Sequence, residues 1–130
     1  MKQAWVVHGA DGLDEVTITG ETFVAACSAR ADVKTFAISP ENFGLQRRPV
    51  TQCCEGPIEN ARVIRAILDG EKSADFAAAC DLVAINAAAA LYLADVANDF
   101  QNATAMARES IDSGKAASKL EALIRETNRS

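Results

Sequence analysis

The spacing of apolar residues changes once along the chain. Before about residue 39 they occur in short runs typical of strands, and after Gly56 they recur at helical spacing. The first run, Ala4 to Val7, is continuous, which predicts a strand covered on both faces as in a parallel sheet. The order that follows is strands first and helices second.

Two further strand signals follow the first run. Val16, Ile18 and Phe23 alternate with threonines around a break at Gly20, and this pattern predicts a hairpin. After the turn "SARAD", the stretch "VKTFAIS" predicts another strand, and Pro40 ends it because proline cannot donate to a ladder.

Four helices are predicted in the second half. Pro57 suits a first helical turn, Gly70 suits the stop of that helix, and Asn98 or Asp99 suits the cap of the third helix, which Ser113 and Gly114 would close. The second helix is apolar on nearly every face, which predicts burial all round. The residues expected to point inward are Ile58, Ala61, Ile64, Ile67 and Leu68; Leu82, Ile85, Ala89, Leu93 and Val96; Phe100, Ala103, Ala107 and Ile111; and Leu120, Leu123 and Ile124.

The predicted fold class is α/β, in a single partial domain over residues 1–130. Residues 1–39 are strand-rich, 40–56 form a loop, and 57–128 are helical. A buried strand near the start of the sequence and an all-apolar helix both require a covering layer. The pattern therefore indicates part of a larger α/β fold.

Composition and charge narrow the function classes. The net charge is −5 and Arg47–Arg48 is the only basic doublet, which argues against nucleic acid as a partner. The longest apolar stretch, Leu82 to Ala94, is interrupted by Asn86 and is expected to be too short to cross a bilayer. With no signal peptide apparent, the expectation is a cytoplasmic protein without a membrane partner.

The four cysteines, Cys27, Cys53, Cys54 and Cys80, lack the spacing and the histidines of a zinc site. They are expected to be reduced thiols, most of them packing residues.

The stretch "VVHGADGLDEVTITG" carries the candidate chemistry. On its pattern alone, Asp11, Asp14 and Glu15 are best interpreted as solvated turn acids. Gly9 and Gly12 would permit a loop in which two adjacent acids turn to the same side. His8, the only histidine, is expected to be a structural residue at a strand end, and Asn86 a core amide with its hydrogen bonds satisfied. No catalytic residue is assigned.

Several stretches, in order along the whole chain, resemble the C-terminal part of anthranilate phosphoribosyltransferase, of the nucleoside-phosphorylase-like phosphoribosyltransferase superfamily. They are "VVHGADGLDEVTITG", "ISPENFGL", "ENARVIRAILDGE", "NAAAALYLA" and "ARESIDSGKAASKLEAL". The chain departs from the family's pattern at Glu21, around Cys54 and Glu55, and at Cys80. It contains no stretch similar to the family's diphosphate-binding "GTGGD" loop or its anthranilate-contacting "KHGN" segment.

The resemblance implies transfer of a phosphoribosyl group from phosphoribosyl pyrophosphate (PRPP) to anthranilate, with release of pyrophosphate, in tryptophan biosynthesis. It implies Mg²⁺ as cofactor and Asp14 and Glu15 as its ligands, and PRPP and anthranilate as partners of the complete enzyme. Because the segments that bind the diphosphate and contact anthranilate are absent, the isolated chain is expected to be inactive. Two alternatives stay open: a non-catalytic binding or structural module, and one subunit of a split enzyme. The expected protein partner is the missing N-terminal half or a second copy of the chain.

Overall fold

The computed structural model describes residues 3–28, 32–49 and 56–129. Three strands precede four helices, in agreement with the predicted order and the α/β class. The strands are β1 (Gln3–Gly9), β2 (Thr22–Ser28) and β3 (Val33–Ile38), and the helices are α1 (Pro57–Leu68), α2 (Ala74–Leu93), α3 (Phe100–Asp112) and α4 (Lys115–Thr127). A short 3₁₀ turn, Pro40–Phe43, interrupts the predicted loop after β3.

The sheet is antiparallel throughout, with the order β1-β2-β3. The prediction that β1 is covered on both faces, as in a parallel sheet, is wrong for this chain. Trp5 and Val7 pack against the core, whereas Val6 on the opposite face is 69% exposed. A continuous apolar run reports how apolar a strand is but not which of its faces a given chain covers.

The predicted hairpin around Gly20 is also wrong. Val16 and Ile18 belong to no strand, and the hairpin is formed by β1 and β2, with Gly9 opposite Thr22. Val16, Thr17 and Ile18 are all buried, because the loop between the strands folds over the core. Their β-branched composition reflects this burial rather than a strand.

The core lies between one face of the sheet and the helices. Val24 of β2, Ile38 of β3 and Ile85 of α2 belong to one buried cluster that also includes Val16 and Ile18. An aromatic group joins the layers: Trp5 of β1 lies 5.5 Å from Phe36 of β3 and 6.0 Å from Phe100 of α3, ring centroid to centroid. Both pairs meet edge to face, which is a favoured aromatic geometry.

Helix α1 begins at Pro57 as predicted, but its inward stripe differs. Ile58 is 89% exposed and Ile64 is 45% exposed, whereas Val63 and Ile67 are buried. Val63 and Ile67 belong to a second small cluster with Ala79 of α2 and Ile111 of α3. The prediction is therefore confirmed for Ile67, and for Leu68, which packs against this cluster, but it is wrong for Ile58 and Ile64, because apolar residues occur on more than one face of this helix.

Helix α2 is the central helix and packs along α3. Leu82, Ile85 and Ala89 are buried as predicted, whereas Val96 lies beyond the helix end and is exposed. The prediction of burial all round is wrong, because Val83 and Ala90 on another part of the helix are exposed. At 20 residues, α2 is longer than the apolar stretch from Leu82 to Ala94, which was expected to be too short to cross a bilayer. It is the one helix in the described residues whose length and composition would allow it to cross a bilayer, and here it forms the core of the domain.

Helix α3 agrees with the sequence prediction, whereas α4 agrees only in its position along the chain. The Asp99 carboxylate accepts a hydrogen bond from the Asn102 backbone N–H at 2.7 Å, which makes Asp99 the N-cap of α3. Ala103, Ala107 and Ile111 are buried as predicted. Helix α4 buries no residue fully, and Leu123 is 60% exposed.

Cys27 and Cys80 are free thiols, as predicted. Cys53 and Cys54, together with most of the "SARAD" turn, lie outside the described residues.

Candidate functional site

The acid loop, residues 10–21, connects β1 to β2. Its ends are joined by a hydrogen bond from the Ala10 N–H to the Glu21 carbonyl, at 2.9 Å. Gly9, the last residue of β1, is bonded to the loop twice: its N–H donates to the Leu13 carbonyl at 2.8 Å, and its carbonyl accepts from the Gly12 N–H at 2.9 Å. Gly12 has a φ of +92°, a conformation that other residues rarely adopt. The acid loop is therefore a compact unit with internal hydrogen bonds.

Asp11 organises the interior of the acid loop. Its carboxylate accepts hydrogen bonds from the hydroxyls of Thr17 and Thr19, both at 2.6 Å, and from the Leu13 backbone N–H at 3.1 Å. The hydroxyl bonds from Thr17 and Thr19 lower the pKa of Asp11 below its ordinary value. Asp11 is exposed, as a turn acid should be, but it has a structural role that the pattern did not reveal.

Asn86 attaches the acid loop to helix α2. Its side-chain oxygen accepts from the Val16 N–H at 2.9 Å, and its NH₂ group donates to the Val16 carbonyl at 2.9 Å and to the Leu82 carbonyl at 3.0 Å. The prediction of a satisfied amide is confirmed. Its partner, 70 positions earlier in the sequence, could not have been found from local pattern.

A second attachment comes from Arg48, whose backbone N–H donates to the Ile18 carbonyl at 3.0 Å. The Arg48 guanidinium donates to buried Asp81 of α2 at 2.9 Å, and Arg108 of α3 donates to the other oxygen of Asp81 at 2.6 Å. The sequence pattern indicated no role for Arg48 beyond a weak basic doublet, and Asp81 was not predicted as a functional residue. The signal available was that Asp81 is the one acid of α2 beyond its first turn, in an otherwise apolar stretch, since unpaired carboxylates are rarely buried.

Asp14 and Glu15 lie side by side on the outer part of the acid loop. Both are exposed, and neither makes a hydrogen bond or ion pair with any residue that the structure describes. Partial desolvation, together with the charge of Asp14, raises the pKa of Glu15 above its ordinary value of 4.5. The acid loop thus presents two carboxylates with their oxygen lone pairs free.

These two carboxylates fit a hard divalent cation that keeps part of its water shell. Mg²⁺ binds through one or two protein carboxylates together with waters and substrate phosphates. In residues 3–28, 32–49 and 56–129, no three histidine, cysteine or acidic side chains cluster as a metal cage. An open pair of oxygen ligands is compatible with Mg²⁺, whereas a closed structural zinc site needs four protein ligands.

His8 lies on the outer face of the sheet, opposite Phe23 of β2. Its side chain is exposed and has no hydrogen-bond partner within the described part of the chain, so the structural role expected of His8 is limited to its backbone, which pairs with β2.

We expect Gly9→Ala to destabilise the acid loop. A Cβ atom at Gly9 would overlap a carboxylate oxygen of Asp11 and lie 3.2 Å from the Cβ of buried Thr17. Neither neighbour can move freely, because they are hydrogen-bonded to each other. The free energy of unfolding should fall by about 1–3 kcal/mol, as for other overpacked sites.

Urea unfolding of Gly9→Ala and the matched Gly20→Ala variant measures this effect. A Cβ at Gly20 meets nothing within 4 Å, and Gly20 does not have a positive φ, so its replacement should be nearly neutral. Equal effects of the two substitutions would contradict the close packing described here.

Comparison with known proteins places this fold and loop in a family of group-transfer proteins. The family model "Glycosyl transferase family, a/b domain" matches residues 1–117, and the chain belongs to this family.

Within that family the similarity is to anthranilate phosphoribosyltransferases, which confirms the resemblance to the C-terminal part of that enzyme. The enzyme of Moorella thermoacetica is 44% identical over 124 residues, covering 95% of this chain and 35% of the relative. The structure of the Saccharomyces cerevisiae enzyme in complex with 4-fluoroanthranilate matches with a TM-score of 0.81 at 33% identity, covering 92% of this chain and 34% of that one. A structure of the same yeast enzyme in complex with PRPP and Mg matches with a TM-score of 0.78 at 33% identity, covering 90% and 33%. The chain thus spans about a third of the length of these relatives.

Proposed function

We propose that this chain contributes the Mg²⁺-binding carboxylates of an anthranilate phosphoribosyltransferase active site, with Asp14 and Glu15 as the ligands. The observation that carries the proposal is the pair of adjacent, exposed carboxylates without side-chain partners. They lie on a loop that is held by hydrogen bonds within itself and by hydrogen bonds to Asn86 and Arg48. The relatives support the substrate class, since a structure of the yeast enzyme is described as a complex with PRPP and Mg.

Each part of the acid loop has a role in this proposal. Bound Mg²⁺ would neutralise charge on the pyrophosphate leaving group and hold it in place. Asp14 and Glu15 would supply oxygen ligands on one side of the ion and leave its remaining positions to water and phosphate. Asp11 would keep the loop in shape without contacting the ion, because its carboxylate is occupied by Thr17 and Thr19.

We infer further that the catalytic site is completed by polypeptide outside these 130 residues. The outer face of the sheet carries Val6, Phe23 and Val33, which are 69%, 53% and 61% exposed. An apolar sheet face of this kind is usually covered in a complete fold. The occupant we propose is the portion of the family fold that this chain lacks, acting with it in the cytoplasm.

The isolated chain is expected to form no phosphoribosyl-anthranilate. Transfer requires both reactants to be held in one geometry, and the chain has no "GTGGD"-like or "KHGN"-like segment to hold them. The fluorescence of anthranilate, followed in the presence of PRPP and MgCl₂, gives the measurement. Turnover by the purified 130-residue chain would contradict this proposal.

A chimera supplies the positive control. In it, this chain replaces the matched third of the Moorella thermoacetica relative, and we expect Mg²⁺-dependent turnover from the folded product. A chimera that folds, as judged by circular dichroism and gel filtration, but shows no turnover would favour the alternative of a binding or structural module. Restoration of turnover by adding the remaining two thirds as a separate polypeptide would favour a split enzyme.

A further inference from the structure

We propose that Asn86 is a positioning residue for the metal ligands: its carboxamide holds the backbone of Val16, and thereby fixes where Glu15 and Asp14 lie. This inference rests on the proposed function, because it assigns a role relative to the metal-binding carboxylates. It concerns a residue on a different element from the acid loop.

The Asn86 carboxamide and the Val16 backbone form a clamp of two hydrogen bonds. The amide oxygen accepts from the Val16 N–H and the amide NH₂ donates to the Val16 carbonyl, both at 2.9 Å. Asn86 therefore pairs with both the N–H and the carbonyl of Val16, as a residue on a neighbouring strand would. The Val16 N–H is part of the peptide group that begins at the Glu15 carbonyl, so the anchored point is directly adjacent to the proposed ligand.

Asn86 is itself held firmly. Its NH₂ group also donates to the Leu82 carbonyl one turn earlier in α2, at 3.0 Å, which fixes the rotation of the side chain. Its neighbour in sequence, Ile85, is fully buried, and Val16 is 3% exposed. Asn86 itself is half-buried, but both residues beside it in this contact belong to the packed core, where a shift of position would disturb several neighbours.

The clamp matters because the carboxylates have no side-chain support of their own. Asp14 and Glu15 make no hydrogen bond or ion pair with the described residues, so their placement follows from the backbone at either end of the pair. On one end, Leu13 is tied to Gly9 and Asp11. On the other end, Val16 is tied to Asn86. Groups that orient metal ligands from outside typically contribute a factor of about 10–100 in metal affinity.

Asn86→Leu removes both halves of the clamp while keeping a side chain of similar size. We expect the amide proton of Val16 to exchange with solvent faster, and the affinity of the chain for Mn²⁺, a paramagnetic substitute for Mg²⁺, to fall by about 10–100-fold. Mn²⁺ binding is measured by electron paramagnetic resonance of the free ion, and the exchange of Val16 by NMR without metal.

Two further variants separate positioning from general destabilisation and from the ligand assignment. Ile111→Ala weakens the second core cluster, away from the acid loop, and should leave Mn²⁺ affinity unchanged among folded molecules. The double variant Asp14→Asn with Glu15→Gln should remove specific Mn²⁺ binding altogether.

The pattern of results distinguishes the possible failures. If the double variant loses Mn²⁺ binding but Asn86→Leu binds as the wild type does, the positioning role is wrong and the ligand assignment stands. If Asn86→Leu and Ile111→Ala weaken binding equally, the effect is one of stability and the positioning role is again wrong. If the wild-type chain binds Mn²⁺ no better than the double variant, the ligand assignment fails and the positioning role fails with it.

Discussion

Replacing Asp14 by asparagine and Glu15 by glutamine in the chimera is expected to reduce Mg²⁺-dependent turnover by about 10²-fold or more, since metal ions contribute several kcal/mol of charge stabilisation in such transition states. Amides keep the size of the side chains but remove both charges, which are what Mg²⁺ requires of its protein ligands. Because neither carboxylate has a partner in the described residues, the fold should be unaffected. The measurement is the initial rate over a range of Mg²⁺ concentrations.

A control with the same change of charge isolates the effect of position. Asp95→Asn with Glu109→Gln also removes two exposed carboxylates, and both lie outside the acid loop. This variant should retain the turnover and the Mg²⁺ dependence of the parent chimera. If the Asp14 and Glu15 variant also retained them, the metal assignment would be wrong.

The second large effect is expected at Asp81. Its carboxylate is buried and accepts from Arg48 at 2.9 Å and from Arg108 at 2.6 Å. Asp81→Asn leaves two guanidinium groups without a counter-charge, although each is about half exposed and can turn partly to water. We therefore expect the free energy of unfolding to fall by about 2–3 kcal/mol, somewhat below the cost of breaking a fully buried pair. That is a large part of the stability of a small domain.

The exposed pair between Glu41 and Arg47 provides the comparison for Asp81. The same type of contact exists there at 2.9 Å, but both side chains are about half exposed. Glu41→Gln should change the free energy of unfolding by no more than about 1 kcal/mol, the usual limit for surface ion pairs. Urea unfolding of both variants, followed by circular dichroism, tests the contrast. Equal effects would show that Asp81 does not anchor Arg48 in the manner described.

The sequence predicted where strands and helices occur better than it predicted which of their faces are buried. The change from strand to helical spacing, the start of α1 at Pro57 and the cap of α3 at Asp99 are set by local chemistry, and all three were predicted correctly. The exposure of the outer face of β1 and of Ile58 in α1 was not predicted. Apolar composition does not show whether the same chain supplies the layer that would cover an apolar face. Val16 and Ile18 gave a false strand signal, since β-branched residues suit any buried extended segment.

The candidate site was predicted unevenly for a related reason. Asp14 and Glu15 came from the family resemblance, since their pattern alone indicated solvated turn acids. The residues that shape the acid loop depend on contacts between distant parts of the chain: Asn86 with Val16, and Arg48 with Asp81. Hydrogen bonds across such separations have no local signature, although a polar residue within an apolar helix indicates that a partner exists.

The most direct test of the central claim is to locate Mn²⁺ on the 130-residue chain by NMR. The chain carries 18 acidic residues, so binding by itself would not identify the ligands. Mn²⁺ broadens the resonances of nearby amides even when binding is weak, and substoichiometric additions report the preferred site. With Asp14 and Glu15 as the ligands, the amides of residues 13–17 should broaden first and recover when excess Mg²⁺ is added. Broadening that begins at other acidic residues, or that spreads evenly over the surface, would contradict this ligand assignment.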